Sequence, residues 1–141
     1  MMKKRIAILG STGSIGTQAL EVIRKNRDKF EVEVLTANNN IDLLVKQAKE
    51  FQPNTVIIAN EEKYEALVSA LTSEPIKVYA GNEAISQIVE METIDVVLTA
   101  MVGYSGLIPT INAIKAGKNI ALANKETLVV AGEIIQKLAF H

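Results

Sequence analysis

Short apolar runs rich in β-branched residues alternate along the chain with longer segments in which apolar residues recur every three or four positions. The short runs predict strands, and they cover residues 5–9, 31–36, 55–59, 76–79, 96–100 and 119–123. The longer segments predict helices at 14–25, 41–51, 62–71, 83–91, 107–116 and 127–139. This alternation is typical of a parallel sheet that is covered by helices on both faces.

The expected fold class is therefore α/β, as a Rossmann-like, doubly wound and mainly parallel sheet in three layers. Right-handed crossovers between six strands predict a switch point between the first and fourth strands, with ligands at the carboxyl ends of the strands. Pro53 ends the second helix, Pro109 is tolerated in the first turn of the fifth, and Gly117 is a natural left-handed cap after it.

The first predicted strand runs directly into a glycine-rich loop, Gly10-Ser11-Thr12-Gly13-Ser14-Ile15-Gly16, which opens a helix. Such a loop cradles the pyrophosphate of a dinucleotide, because glycine permits close backbone approach and the first helical N–H groups point at the anion. The first glycine stands one position earlier than in the usual G-x-G-x-x-G pattern, so the loop is one residue longer. A loop that binds a nucleoside triphosphate would end in Gly-Lys-Ser or Gly-Lys-Thr, and that lysine is absent here, so the loop does not favour a nucleoside triphosphate. The structural alternative is that these glycines only form turns in a surface loop.

The second predicted strand ends in Thr36-Ala37-Asn38-Asn39-Asn40, about 20 residues after the glycine loop. Proteins that bind NAD usually place a carboxylate here, whereas the amides and the hydroxyl of this segment can donate to a 2′-phosphate. The segment therefore favours NADP over NAD. The alternative is that the asparagines form a turn and cap the following helix.

Two later loops also follow predicted strands. Ala100 and Met101 begin a glycine-containing segment against which a nicotinamide ring could lie, although an ordinary packed loop is the structural alternative. Asn124, Lys125 and Glu126 follow the last strand, where the lysine could pair with a substrate anion and the glutamate could accept a hydrogen bond. Here the alternative is a helix cap with two solvated charges.

The 141 residues fit one domain, and no apolar stretch is long enough to cross a bilayer. The chain contains no cysteine, and a net charge of −1 gives no general footprint for nucleic acid. His141 is the only histidine, and no paired carboxylates stand at strand ends to hold a metal. We therefore expect a cytoplasmic protein with no catalytic or metal-binding residues in this chain, and neither a nucleic-acid nor a membrane partner.

Four segments together resemble 1-deoxy-D-xylulose 5-phosphate reductoisomerase. They are the glycine loop at 10–16, the Thr-Ala-Asn-Asn-Asn segment at 36–40, Ala-Met-Val-Gly at 100–103 with Gly-Leu and Pro-Thr at 106–110, and Ala-Leu-Ala-Asn-Lys-Glu-Thr-Leu-Val at 121–129. The last motif is highly specific, and the resemblance covers essentially the whole chain.

The resemblance implies an enzyme that isomerises and reduces 1-deoxy-D-xylulose 5-phosphate to 2-C-methyl-D-erythritol 4-phosphate in non-mevalonate isoprenoid biosynthesis. It implies NADPH as cofactor, a divalent cation (Mg or Mn) in the full-length enzyme, and a homodimer. The resemblance implies that the pyrophosphate is held by Thr12, Gly13, Ser14 and Ile15, the adenosine phosphate end by Asn38, Asn39 and Asn40, and the nicotinamide side by Asn124 and Glu126, while Lys125 reaches the substrate. The loops after the predicted strands add Gly10, Ser11, Ala37, Ala100 and Met101 to the expected cofactor site.

Many members of that family carry Gly-Lys-Asn where this chain has Asn38-Asn39-Asn40, so selectivity for NADP is expected to be softer here. The family's Asp-Ser-Glu metal segment and its C-terminal domain do not occur in these 141 residues. Residues 1–141 are thus expected to form an NADPH-binding domain that binds cofactor without catalysing. Two alternatives are the cofactor domain of another NADP reductase, such as an aspartate-semialdehyde dehydrogenase, and a free-standing dinucleotide-binding regulatory module.

Overall fold

The computed structural model describes residues 3–101 and 107–122. The strands are β1 (Lys4–Leu9), β2 (Phe30–Ala37), β3 (Thr55–Ile58), β4 (Lys77–Ala80), β5 (Val96–Thr99) and β6 (Asn119–Leu122). The helices are α1 (Ser14–Arg24), α2 (Ile41–Phe51), α3 (Tyr64–Ala70), α4 (Asn82–Ile88) and α5 (Leu107–Lys115), with a single 3₁₀ turn at Glu61–Lys63 before α3. The helix predicted at 127–139 lies outside the described residues.

All six strands form one parallel sheet in the order β4-β3-β2-β1-β5-β6. The predicted fold class is thus confirmed, but the prediction that the switch point lies between the first and fourth strands is wrong. β5 pairs with β1, with Ile6 opposite Val96, and β4 extends the sheet beyond β3. The switch point therefore lies between β1 and β5, and the chain crosses from one edge of the sheet to its centre through α4.

The burial of β5 and β4 explains why β5 is central in the sheet and β4 lies at its edge. Every residue of β5 is buried, as a central strand between two neighbours and two helical layers requires. In β4 the side chains of Lys77 and Tyr79 are exposed and those of Val78 and Ala80 are half-buried, which is the alternation of an edge strand.

Alternate side chains of the strands build two cores. Ile6 and Ile8 of β1 pack with the buried faces of α1, α2 and α3, whereas Ala7 and Leu9 pack with α4 and α5 on the other side. The two clusters give the three layers, and they leave the carboxyl ends of β1, β2, β3 and β5 at one edge of the molecule.

The helix ends follow the local sequence. Asn40 caps α2 by accepting from the Leu43 N–H at 3.1 Å. The C-cap residue of α2 is Gln52, which has a φ of 49° and immediately precedes Pro53. Gly117 adopts a φ of 76° after α5, so the predicted left-handed cap is confirmed. Among the helices of the described residues, none is long and apolar enough to span a bilayer.

Candidate functional site

A cavity of about 280 Å³ opens at the carboxyl ends of the strands, beside the switch point. It lies between the glycine loop after β1, the ends of β2 and β3, the first residue of α4 and the segment that follows β5. Its lining residues are Gly10, Thr12, Gly13, Ser14, Ile15, Thr36, Ala37, Asn38, Ala59, Asn82, Ala100 and Met101. Nine of these are predicted cofactor residues, so the fold brings together segments that are up to 91 residues apart in the sequence.

The fold requires glycine at positions 10 and 16, because the backbone of the glycine loop packs closely against the segment after β5 and against the start of α1. Gly10 has a φ of 85°, and a Cβ there would lie 2.9 Å from the backbone oxygen of Ala100. A Cβ on Gly16 would lie 2.2 Å from the backbone oxygen of Gly10, so α1 meets the loop without room for any side chain. These two glycines fix the loop between β5 and α1.

Gly13 differs from both, because a Cβ there would meet only the Gly10 oxygen, at 3.9 Å. Its φ of −76° and ψ of 174° suit any residue. Within the described protein nothing requires a glycine at this position, and the space beside it belongs to the cavity. A glycine that the fold does not need, in the wall of a cavity, suits close approach of a ligand to the backbone.

Gly13 is also the N-cap residue of α1, and no side chain caps that helix. The first turn of α1 carries no acidic residue, whereas α2, α3 and α4 carry Asp42, Glu65 and Glu83 in theirs. The positive end of the helix dipole therefore faces the cavity without a competing carboxylate in the first turn of α1. An anionic group such as a pyrophosphate fits this end of the cavity.

Ser11 does not line the cavity, although it is a predicted cofactor residue. Its side chain is buried, and its hydroxyl donates to the Gln47 Oε1 atom at 2.7 Å. The Gln47 Nε2 atom donates back to the Ser11 carbonyl at 2.9 Å, and the Ser11 N–H donates to the Thr36 carbonyl at 2.8 Å. The Ser11 side chain thus anchors the glycine loop to α2 and β2.

The three consecutive asparagines occupy three different positions. Only Asn38 lines the cavity, and its side chain makes no hydrogen bond to another described residue. The Asn39 side-chain oxygen accepts from Asn60 at 2.9 Å, and Asn40 caps α2. The helix-capping alternative therefore applies to Asn40, while Asn38 keeps its amide free for a ligand.

Sequence reasoning missed two lining residues, Ala59 after β3 and Asn82 at the start of α4. The Gly81 N–H donates to the Ile58 carbonyl at 2.9 Å and carries the β3–β4 pairing one residue beyond the strands, which brings Asn82 to the cavity. The signal was available in part, because Ala59 ends one predicted strand, Asn82 follows another, and ligands bind at such ends.

None of the twelve lining residues carries a charge. The described groups with shifted pKa values lie outside the cavity. Arg24 donates to Glu50 at 2.8 Å and holds the pKa of that carboxyl below its ordinary value, on the outer surface of α1 and α2. Burial raises the pKa of Glu33 in β2, with Glu31 and Asp95 adding to the rise and Arg5 opposing it. Within the cavity the available recognition is therefore by backbone N–H groups, amides, hydroxyls and apolar contact.

The predicted residues Asn124, Lys125 and Glu126 lie outside the described part of the chain. Within residues 3–101 and 107–122, no group of three or more His, Cys, Asp or Glu side chains could hold a metal ion. On the side of β5 the described lining of the cavity consists of Ala100 and Met101, which precede the undescribed residues 102–106 in the sequence.

Comparison with known proteins agrees with this geometry. The family model for 1-deoxy-D-xylulose 5-phosphate reductoisomerase matches residues 6–132. The 1-deoxy-D-xylulose 5-phosphate reductoisomerase of Phocaeicola vulgatus is 70% identical over 138 residues, covering 98% of this chain and 36% of the relative. The chain therefore spans about a third of the length of the curated relatives that it matches.

Solved structures give the same match. The reductoisomerase of Zymomonas mobilis in complex with NADPH superposes with a TM-score of 0.83 at 34% identity, over 97% of this chain and 37% of that one. A reductoisomerase in complex with NADPH, fosmidomycin and magnesium has a TM-score of 0.82 at 37% identity, over 97% of this chain and 34% of its own.

These matches favour neither the aspartate-semialdehyde dehydrogenase domain nor the free-standing regulatory module as the source of the glycine loop. The match to the family model begins within β1 and includes the glycine loop, the other five strands and the Asn-Lys-Glu-Thr motif. The chain belongs to the 1-deoxy-D-xylulose 5-phosphate reductoisomerase family.

Proposed function

We propose that this chain binds NADPH in the cavity beside the switch point, as the cofactor domain of an enzyme that isomerises and reduces 1-deoxy-D-xylulose 5-phosphate to 2-C-methyl-D-erythritol 4-phosphate. The observation that carries the proposal is Gly13, which the fold leaves open toward the cavity at the uncapped start of α1. When bound, NADPH supplies the hydride for the reduction.

Each part of the cavity has a role in this proposal. The backbone of Thr12, Gly13, Ser14 and Ile15 holds the pyrophosphate, because these residues line the cavity at the positive end of α1. Asn38 binds the adenosine end, and Ala100 and Met101 lie beside the nicotinamide. Asn124 and Glu126 would complete the nicotinamide side, and Lys125 would bind the sugar-phosphate substrate.

The end of β2 supports NADPH over NADH. Asn38 offers an amide where an aspartate or glutamate would hold the ribose hydroxyls of NAD and repel a 2′-phosphate. Among the described residues, no lysine or arginine lines the cavity to bind that phosphate, so we expect the preference to be moderate.

The described residues do not fit the magnesium that a solved relative contains, because they hold no cluster of metal-ligating side chains. We therefore propose that the cation binds elsewhere in the full-length enzyme and that residues 1–141 alone form a cofactor-binding domain without reductoisomerase activity. The proposal includes a homodimeric, cytoplasmic enzyme, as expected for the family that the sequence resembles.

A single substitution tests the proposed site. Gly13→Val should abolish NADPH binding, because the branched side chain occupies the space that the pyrophosphate must enter. The backbone of Gly13 already has dihedral angles that valine adopts, so the fold should survive. The matched control is Gln18→Val, which adds the same side chain to an exposed position of α1 outside the cavity.

The measurement is a titration of the 141-residue chain with NADPH and NADH, followed by nicotinamide fluorescence, with circular dichroism as the check of folding. We expect the unsubstituted chain and Gln18→Val to bind NADPH more tightly than NADH, and Gly13→Val to bind neither. Undiminished NADPH affinity in a folded Gly13→Val variant would place the cofactor elsewhere, and equal or tighter binding of NADH would overturn the argument from Asn38.

A further inference from the structure

Five asparagines lie in the segments that follow β2, β3 and β4, at positions 38, 39, 40, 60 and 82, and three of them hold the loops. Asn60 donates to Asn39 and accepts from the Glu62 N–H at 3.1 Å, while Asn40 caps α2. The other two, Asn38 and Asn82, line the cavity. Neither side chain makes a hydrogen bond to another described residue, so both amides can bind a ligand.

These two free amides line the same cavity but follow different strands of the sheet. Asn38 follows β2, next to the strand that feeds the glycine loop, whereas Asn82 follows the edge strand β4. Between them lie Ala37 and Ala59, at the ends of β2 and β3, whose backbones remain paired at 2.8 Å. Asn82 thus follows the strand that is three places from β1 in the sheet, and the small apolar residues Ala37 and Ala59 lie at the ends of the two strands in between.

We propose that Asn82 recognises the adenine base of the cofactor by hydrogen bonding to its polar edge. This inference rests on the proposed NADPH site, whose pyrophosphate position directs the adenosine toward the ends of β2 and β3. A neutral flat base fits a wall formed by Ala37 and Ala59 with no charged lining residue. An asparagine amide offers one acceptor and two donors, which match the amino group and the ring nitrogens of adenine.

The geometry around Asn82 favours recognition over a structural role. Its side chain is exposed, and the N-cap of α4 is Gly81, which has no side chain. The backbone of Gly81 is fixed by the hydrogen bond to Ile58, so the first residue of α4 stays at the edge of the cavity. Removal of the Asn82 amide should leave the fold unchanged and alter only what the cavity binds.

The test compares NADPH with its hypoxanthine analogue, in which a carbonyl replaces the 6-amino group of adenine. Both ligands carry the same pyrophosphate, 2′-phosphate and reduced nicotinamide, so their affinity ratio measures base recognition alone. We expect the unsubstituted chain to prefer NADPH by roughly three- to tenfold, the usual range for one or two neutral hydrogen bonds. Asn82→Ala should bring that ratio close to one, and the control Gln87→Ala, which removes an exposed amide elsewhere on α4, should leave it unchanged.

The possible results separate this inference from the proposed function. An unsubstituted chain that binds NADPH, with an affinity ratio that Asn82→Ala does not change, would overturn base recognition by Asn82 and leave the cofactor site intact. A chain that binds neither dinucleotide would overturn both. A ratio that falls equally in Asn82→Ala and Gln87→Ala would assign the effect to α4 as a whole and also overturn the inference.

Discussion

Gln47 is the buried polar residue that ties the glycine loop to the helical layer, and Gln47→Ala should destabilise the chain while weakening cofactor binding. The substitution removes two hydrogen bonds, from the Ser11 hydroxyl at 2.7 Å and to the Ser11 carbonyl at 2.9 Å. The hydroxyl can turn to the Thr36 carbonyl, which lies 3.2 Å away. The Ser11 carbonyl has no such replacement among the described groups.

The magnitude follows from these contacts. A buried carbonyl left without a partner costs roughly 1 to 3 kcal/mol, and the lost burial of the side chain adds about 1 kcal/mol. The higher helix propensity of alanine returns a few tenths of a kcal/mol. The net loss of unfolding free energy is about 2 to 4 kcal/mol, which for a chain of this length lowers Tm by about 7 to 14 °C.

Urea denaturation followed by circular dichroism measures this loss, and Gln47→Glu provides the control. A protonated glutamate can accept from the Ser11 hydroxyl and donate to the Ser11 carbonyl, whereas the carboxylate cannot donate and is buried. Burial raises the pKa of the introduced carboxyl in the folded state, so its stabilising protonated form is present at low pH and lost as pH rises. The stability of Gln47→Glu relative to the parent should therefore recover on acidification. A Gln47→Ala chain within 0.5 kcal/mol of the parent would refute the reasoning.

Two further substitutions test other described features. Gly16→Ala should reduce stability far more than Gly13→Ala in the same urea assay, because its Cβ would lie 2.2 Å from a backbone oxygen while that of Gly13 would lie 3.9 Å from its nearest neighbour; similar values for the two variants would contradict the loop packing. Glu33→Gln should stabilise the chain at neutral pH, because the raised pKa of Glu33 means that folding favours the protonated form and loses stability as pH rises through that pKa. The gain should vanish in acid, where both side chains are neutral, and a gain that is independent of pH would exclude titration of Glu33 as its source.

The sequence predicted the six strands and five described helices closely, because each element carries its own periodicity and its own stop signal, as at Pro53 and Gly117. It did not predict the strand order. Whether β4 or β5 pairs with β1 depends on which of the two is buried on both faces. Each of these strands has only four residues, which is too short for the periodicity to show whether one face or both faces are buried. The exposed Lys77 and Tyr79 were the available sign that β4 is an edge strand.

The candidate site was predicted to the extent that it depends on loops after strands. Nine predicted cofactor residues line the cavity because parallel strands all end at the same edge of the sheet. The different roles of Asn38, Asn39 and Asn40 could not be predicted from the sequence, because an asparagine side chain can cap a helix, bridge two loops or face a ligand. Likewise, the burial of Ser11 depends on Gln47, which lies 36 residues away.

The position of β5 beside β1 also decides when the site can assemble. The order of β1, β2, β3 and β4 in the sheet follows their order in the chain, so this half can form through neighbouring contacts as the chain lengthens. The pairing of Ile6 with Val96 closes a loop of 90 residues, and closure entropy makes such a contact a late event. During synthesis the cavity proposed for the dinucleotide would therefore lack one wall until Ala100 has emerged from the ribosome, and binding of the proposed cofactor would favour chains in which the central pairing is complete.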